Sequence, residues 1–190
     1  MLGFAKNFID DILGPIAKRI NISPNAITFA GLIAAIIAAT TIPKDLFWGG
    51  LLILISGAFD LFDGMVARAN NKSSKFGSFF DSVIDRYSDS VLLLGFIWYF
   101  YNAGSGTGIF LTAGTIIGTM AISYARAKAE GLQQECKVGI MERPERIILM
   151  ALGALFKLAL PMMWVMLILT HITVAQRIFY VRKKMSDKKK

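Results

Sequence analysis

The sequence predicts an all-α integral membrane protein, with six transmembrane helices preceded by an amphipathic helix at the membrane surface. Three observations carry this. First, 55% of the 190 residues are hydrophobic and the mean hydropathy is +0.55. A chain of this length could form one soluble domain, but its apolar runs are too long and too many for that. Second, a span needs roughly 20 mostly apolar residues. Six such stretches lie at about 24–42, 46–67, 78–102, 108–126, 144–160 and 161–181. Third, with a cytoplasmic amino terminus, only Lys44 and Lys157 of the 21 lysines and arginines fall on the outer side. That is the positive-inside distribution.

The elements follow in order. Phe4, Phe8, Ile12, Ile16 and Ile20 recur at helical spacing beside Lys6, Asp10, Asp11 and Lys18. Residues 1–22 therefore read as an interfacial helix on the inner face. They lack the apolar core and small-residue cleavage site of a signal peptide. Ser23 reads as an N-cap with Pro24 at the first helical position. The hinge from Ala69 to Phe76 is short, so the second and third helices should be antiparallel neighbours. Inner segments near 68–77 and 127–143 are polar, whereas outer loops near 43–45 and 103–107 are short and nearly uncharged. The fifth span is short and holds Lys157, which would snorkel to the outer interface. Pro161 is expected to mark the turn into the sixth.

Residues 1–190 read as one membrane unit, with the six-helix bundle at 24–183 and a basic tail at 184–190. Both termini are expected in the cytoplasm, at the cell membrane. The net charge of +8 reads as topology and attraction to anionic lipid, not as nucleic-acid binding. The single cysteine, Cys136, excludes a disulfide within the chain.

Asp60, Asp63, Asp81 and Asp85 sit at the junctions of apolar segments, within 26 residues. Ionisable groups at membrane depth are functional candidates by default. Four acids so close repel one another unless a cation neutralises them. Asp60 and Asp63 share a helix face, as do Asp81 and Asp85. Their hard oxygens suit Mg²⁺ or Mn²⁺, and two ions could clamp a diphosphate. Gly64 and Gly77 remove side chains where a substrate approaches the backbone, and Ala67 keeps that wall small. Arg68 can make paired hydrogen bonds to phosphate. Ser74 can donate from the hinge. Asp85 is placed to act as general base for an incoming hydroxyl. Asp89, one turn further, reads as a supporting hydrogen-bond partner or core acid. The active site should open toward the cytoplasm at headgroup depth.

The full spacing is Asp-x2-Asp-Gly-x2-Ala-Arg-x8-Gly-x3-Asp-x3-Asp. With all eight positions present, the chain resembles the CDP-alcohol phosphotransferase family of membrane enzymes. The resemblance spans nearly the whole chain and implies six transmembrane helices, usually in a homodimer. It implies that Asp60, Asp63, Asp81 and Asp85 hold the metal ions and that Asp85 deprotonates the acceptor. It also implies a CDP-linked lipid donor bound near Asp60, Asp63, Gly64, Ala67, Arg68, Ser74, Gly77 and Asp81. Pro24, Asn25 and Ala26 look similar to a further nucleotide contact.

Arg126, Lys128, Arg143 and Arg146 add cations beside the cavity, and a phosphorylated acceptor needs such groups. A purely topological role is the alternative. These stretches resemble those of inositol-phosphate-using family members, bacterial and archaeal. That resemblance places Arg126, Lys128, Pro144 and Arg146 around the phosphate of inositol 1-phosphate, with Arg177 and Arg182 within reach. It leans toward the archaeal version, with CDP-archaeol rather than CDP-diacylglycerol as donor. Glycerol 3-phosphate as acceptor, or CDP-inositol as donor, fits the same cations. From another class, a divalent-cation transporter would use the four acids but gains nothing from Arg68, Gly64 and Gly77. His171 reads as an interhelical hydrogen-bond partner. Met162, Met163, Met166 and Trp164 read as packing or interface residues.

Overall fold

A computed structural model describes residues 22–187. The described residues form six helices and no strand: α1 Pro24–Thr41, α2 Leu46–Ala69, α3 Lys75–Asn102, α4 Gly106–Gly131, α5 Arg143–Leu155 and α6 Ala159–Asp187. The expected interfacial helix lies outside the described residues, apart from Ile22, and so do residues 188–190 of the basic tail. By length and composition, α1, α2, α4 and α6 can cross a membrane. α3 has 28 residues but carries Asp81, Asp85, Arg86 and Asp89 within its first 15. α5 has only 13 residues, fewer than the roughly 20 of a full span.

Side-chain caps start the first four helices. Ser23, Asp45, Ser74 and Ser105 each accept a hydrogen bond from a backbone N–H of the following turn, satisfying donors that a helix start leaves open. Ser23 caps α1 as expected, at 3.2 Å from the Ala26 nitrogen. Four helices end on a residue with left-handed φ: Asn71, Gly104, Gln133 and Lys157. Each ending carries the paired backbone bonds of a Schellman motif; after α5 these are Lys157 N–H to Ala154 O at 3.0 Å and Leu158 N–H to Gly153 O at 2.7 Å.

That last motif corrects the sequence reading. α5 stops at Leu155, so Lys157 lies in the turn beyond it and not within a span. Pro161 falls inside the first turn of α6, where its missing N–H matters least. The turn is made by backbone bonds around Lys157 and needs no proline.

A second correction concerns α2 and α3. They are not packed closely backbone to backbone; α1 packs closely against both. α2 also packs on α5, α3 on α4, and α4 and α5 on α6. Gly95 makes the α1–α3 approach possible: a Cβ there would lie 2.7 Å from Ala39 Cα. The main core includes Ala35, Ala38, Ile42, Ile53, Leu92, Phe96 and Met150, with Met162, Met163 and Met166 buried as expected. Trp164, Phe29, Ile33, Phe110 and Ile117 face outward instead, as lipid-exposed helix faces require. His171 is exposed, and its Nδ1 lies 2.9 Å from Leu167 O of its own helix. That bond is intrahelical, not interhelical as expected.

Candidate active site

Because α1 holds α2 and α3 without pressing them together, space remains between the two acidic stretches. An open cleft of about 630 Å³ lies there, lined by Pro24, Asn25, Thr28, Asp63, Gly64, Ala67, Arg68, Lys72, Ser73, Ser74, Gly77, Ser78 and Asp81. A smaller pocket of about 190 Å³ holds Asp60, Asp63, Asp85, Ser88 and Arg143, with Thr28, Gly31, Ser56 and Ile84. Asp63 and Thr28 line both.

The starts of α1 and α3 meet at the cleft. A Cβ on Gly77 would sit 3.0 Å from Ser74 Oγ and 3.4 Å from Asn25 Oδ1. Helix starts present open N–H groups and a partial positive charge, which suits phosphate. A Cβ on Gly64 would sit 3.1 Å from Arg68 Nη1, so this glycine gives the guanidinium room along α2. Ser74 is the N-cap of α3, with its Oγ accepting from Gly77 N–H at 2.9 Å. Its hydroxyl hydrogen remains available to donate, at the hinge where Ser73 and Lys72 also line the cleft.

One carboxylate oxygen from each of Asp60, Asp63 and Asp81 lies within 4.8 Å of the other two, close enough to hold one metal ion. Asp81 Oδ1 is buried without a hydrogen-bond partner. An orphaned anionic oxygen is costly, and a divalent cation would satisfy it. The residues therefore fit a hard cation. Thr28 Oγ1 lies 2.5 Å from Asp63 Oδ2 and 3.1 Å from Pro24 O, orienting that carboxylate. Ligand carboxylates are commonly steadied this way.

Asp85 is not one of that trio, but its carboxyl touches those of Asp60 and Asp81. Its Oδ1 is 2.8 Å from Arg143 Nη1 and its Oδ2 3.8 Å from Arg86 Nη1. Arg143 Nη1 also pairs with Asp60 Oδ1, and its Nε lies 3.5 Å from Asp89 Oδ1. Asp89 is 2% exposed and bonds Arg146 Nη2 at 2.7 Å. It is thus the supporting acid that its place one turn beyond Asp85 suggests.

None of the six residues expected around the acceptor phosphate lines either cavity, although Arg177 lies near enough to Arg126 and Arg146 to feel their charge. Arg146 is buried on Asp89 and Met141 O. Arg177 is buried, donating to Val138 O at 2.8 Å and Ile122 O at 2.7 Å. Arg126 pairs with Glu130 one turn along α4. Lys128, Pro144 and Arg182 are exposed. Ala26 and Asp60 lie outside the larger cleft, whereas Pro24, Asn25, Asp63, Gly64, Ala67, Arg68, Ser74, Gly77 and Asp81 line it together. The sequence did not single out Thr28 for the site, and it offered Arg143 only as a cation beside the cavity, not as a partner of the acids. Thr28 had a signal in its place four residues after Pro24, on the same helix face.

A cleft walled by helix starts and glycines, with clustered carboxylates at its floor, belongs to phosphate-transfer chemistry. The sequence pattern of the CDP-alcohol phosphatidyltransferase family matches residues 21–176, and the chain belongs to that family. It is 34% identical to the phosphatidylinositol phosphate synthase of Mycobacteroides abscessus, over 90% of this chain and 84% of that protein. It is also 34% identical to the archaetidylinositol phosphate synthase of Methanothermobacter thermautotrophicus, over 97% of this chain and 96% of that protein. The crystal structure of the Mycobacterium tuberculosis phosphatidylinositol phosphate synthase with CDP-DAG bound superposes with a TM-score of 0.82 at 30% identity, covering 90% of this chain and 94% of that one. A second structure of that protein is a complex with manganese and citrate.

Proposed function

We propose that this chain transfers the lipid phosphate group from a CDP-lipid to a hydroxyl of inositol 1-phosphate, releasing CMP. The observation that carries this is the placement of the Asp60, Asp63 and Asp81 trio between the phosphate-suited cleft and the pocket of Asp85. Relatives named for inositol phosphate products, one of them solved with CDP-DAG, support the choice of donor and acceptor.

In this reading Asn25, Gly64, Arg68, Ser74 and Gly77 hold the cytidine diphosphate while the lipid tails stay in the bilayer. Asp60, Asp63, Asp81 and Asp85 would hold Mg²⁺ or Mn²⁺, two ions in all, which supply Lewis-acid stabilisation of phosphate charge. Asp85 accepts the proton of the acceptor hydroxyl. The freed oxygen bonds to the lipid-side phosphorus, the phosphoanhydride bond breaks, and its electron pair leaves with CMP. Basic residues of the inner segment and α6, among them Arg126, Lys128, Arg146, Arg177 and Arg182 beside Pro144, attract the acceptor phosphate. All six helices cross the membrane, with both termini and the site on the cytoplasmic side, and the chain works as a homodimer. Lipid donors of either tail chemistry, CDP-archaeol or CDP-diacylglycerol, fit the open cleft.

The test is CMP release by the purified protein in detergent with Mg²⁺. Donors are CDP-archaeol and CDP-diacylglycerol; acceptors are inositol 1-phosphate, glycerol 3-phosphate, serine and free inositol. Release with inositol 1-phosphate, lost in Asp85→Asn, supports the reading. Release only with glycerol 3-phosphate overturns the acceptor. No release with any pair overturns the activity.

A further inference from the structure

Arg143 is the first residue of α5, and its guanidinium reaches three carboxylates on two other helices. Asp60 comes from α2; Asp85 and Asp89 come from α3. The side chain is 16% exposed, so its charge is drawn from the membrane protein's interior and not from a solvated surface. Both Nη1 contacts fall on oxygens of proposed metal ligands. An oxygen bonded to a guanidinium is a weakened ligand for an ion, because the two positive charges compete for one lone-pair region and repel each other.

The carboxylate cluster is thereby divided. Asp63 and Asp81 have no ion pair to Arg143, and with Asp60 they form the trio that can hold one ion. Asp85 is bound to Arg143 and lies outside that trio. The surroundings also allow Arg143 to leave. Asp89 Oδ2 keeps its 2.7 Å bond to Arg146 without it, so Asp89 stays paired, although its Oδ1 loses the 3.5 Å contact to Arg143 Nε. Arg143 Nε has no hydrogen bond of its own to lose.

We propose that Arg143 is a built-in counter-cation of the carboxylate cluster, which a divalent ion must displace before Asp85 can join the metal site. The inference rests on the metal-dependent reading above, but it concerns binding alone. It makes the two ions unequal. The trio meets Arg143 only through Asp60 Oδ1, with neither Asp63 nor Asp81 paired to it, whereas engagement of Asp85 requires Arg143 to swing aside. Arg143 also keeps Asp60 and Asp85 from driving apart by mutual repulsion.

The experiment is a Mn²⁺ binding isotherm on the full chain in detergent, without nucleotide or acceptor, paired with thermal unfolding in EDTA. The wild type should show a tighter and a weaker class of site. Arg143→Gln should tighten the weaker class about tenfold or more and lower the unfolding temperature in EDTA. Removing any nearby positive charge favours a cation through the general field, so the decisive arm is a cycle with Asp85→Asn. If Arg143 competes for Asp85 itself, the gain disappears in the Asp85→Asn background. If the gain persists there, or if Arg143→Gln leaves the weaker class unchanged, the proposal is overturned. Arg143→Lys, which keeps the charge but cannot bridge two acids in a planar fork, should give a smaller gain and serves if Arg143→Gln does not fold. A gain no smaller than that of the glutamine variant, or none at all where lysine is the only folded variant, also overturns it. CMP release plays no part in these readouts. A failed acceptor panel with an intact Arg143 effect would discard the activity and keep this inference.

Discussion

The cleft between α1, α2 and α3 and the basic segment running from the end of α4 into α5 are built on opposite plans. The cleft side is subtractive. Glycines at 64 and 77 and the small Ala67 leave space, and helix starts supply donors without side chains filling it. The basic side is additive and closed. Arg146 and Arg177 are each 3% exposed, and their guanidiniums tie Asp89 and the carbonyls of Ile122, Val138 and Met141 into the fold. Met141 N–H adds a bond to Thr173 Oγ1 at 3.1 Å. A cluster of cations next to a phosphate site is therefore not one population. Some are structural struts, some sit on the surface, and Arg143 lies between the two regions.

That contrast can be broken from either side. The largest expected effect is on the strut side. Arg146→Met breaks a buried pair and leaves Asp89 only the 3.5 Å contact to Arg143 Nε; breaking a buried pair costs about 3–5 kcal/mol. The unfolded or aggregated fraction in detergent should rise sharply by size-exclusion chromatography. Adding Asp89→Leu should recover much of the loss, since replacing a whole buried pair by apolar groups is often neutral; no recovery would argue that Asp89 has work beyond pairing. Next comes the cleft floor. Asp63→Asn removes a ligand and should reduce Mn²⁺ affinity beyond the roughly 10- to 100-fold typical of losing a supporting partner, with the fold retained by circular dichroism. Thr28→Val removes such a partner and should fall within that roughly 10- to 100-fold range, measured by the same titration. An unchanged affinity would show that Asp63 needs no steadying. The smallest effect belongs to the surface. Arg126→Gln breaks a half-exposed pair with Glu130 at i,i+4, worth about 0.3–0.5 kcal/mol, so the midpoint of thermal unfolding should barely move.

Most of the cleft's lining is legible in the sequence and the bonding of the basic side is not, for a physical reason. The eight motif positions lie on two helices joined by one short hinge, so helical periodicity and a short connection already bring them together. Nine of the eleven residues expected around the donor do line one cleft. Arginines at 143 and 146 share a helix face at i,i+3, and nothing local tells which reaches the metal ligands and which is a strut. That depends on Asp89, 57 residues from Arg146 in sequence. Thr28 likewise meets Asp63 across 35 residues. The backbone turn at Lys157 was invisible for another reason. Left-handed φ is expected at glycine, and here only Gly104 of the four helix-ending residues obeys that rule.

The bond between Asp89 and Arg146 bears on how the chain is made. Asp89 sits mid-way along α3, and synthesis reaches Arg146 only after all of α4 and the loop beyond it. In the proposed six-span arrangement α3 until then offers the bilayer an unmatched charge at Asp89, and α5, with 13 residues, is too short to span alone. Each becomes acceptable to lipid as half of a neutral pair. α3 is therefore expected to settle in the membrane late, after α5 emerges from the ribosome. Nascent chains truncated before Arg143 should leave α3 accessible to a membrane-impermeant label, and chains extended through α6 should protect it.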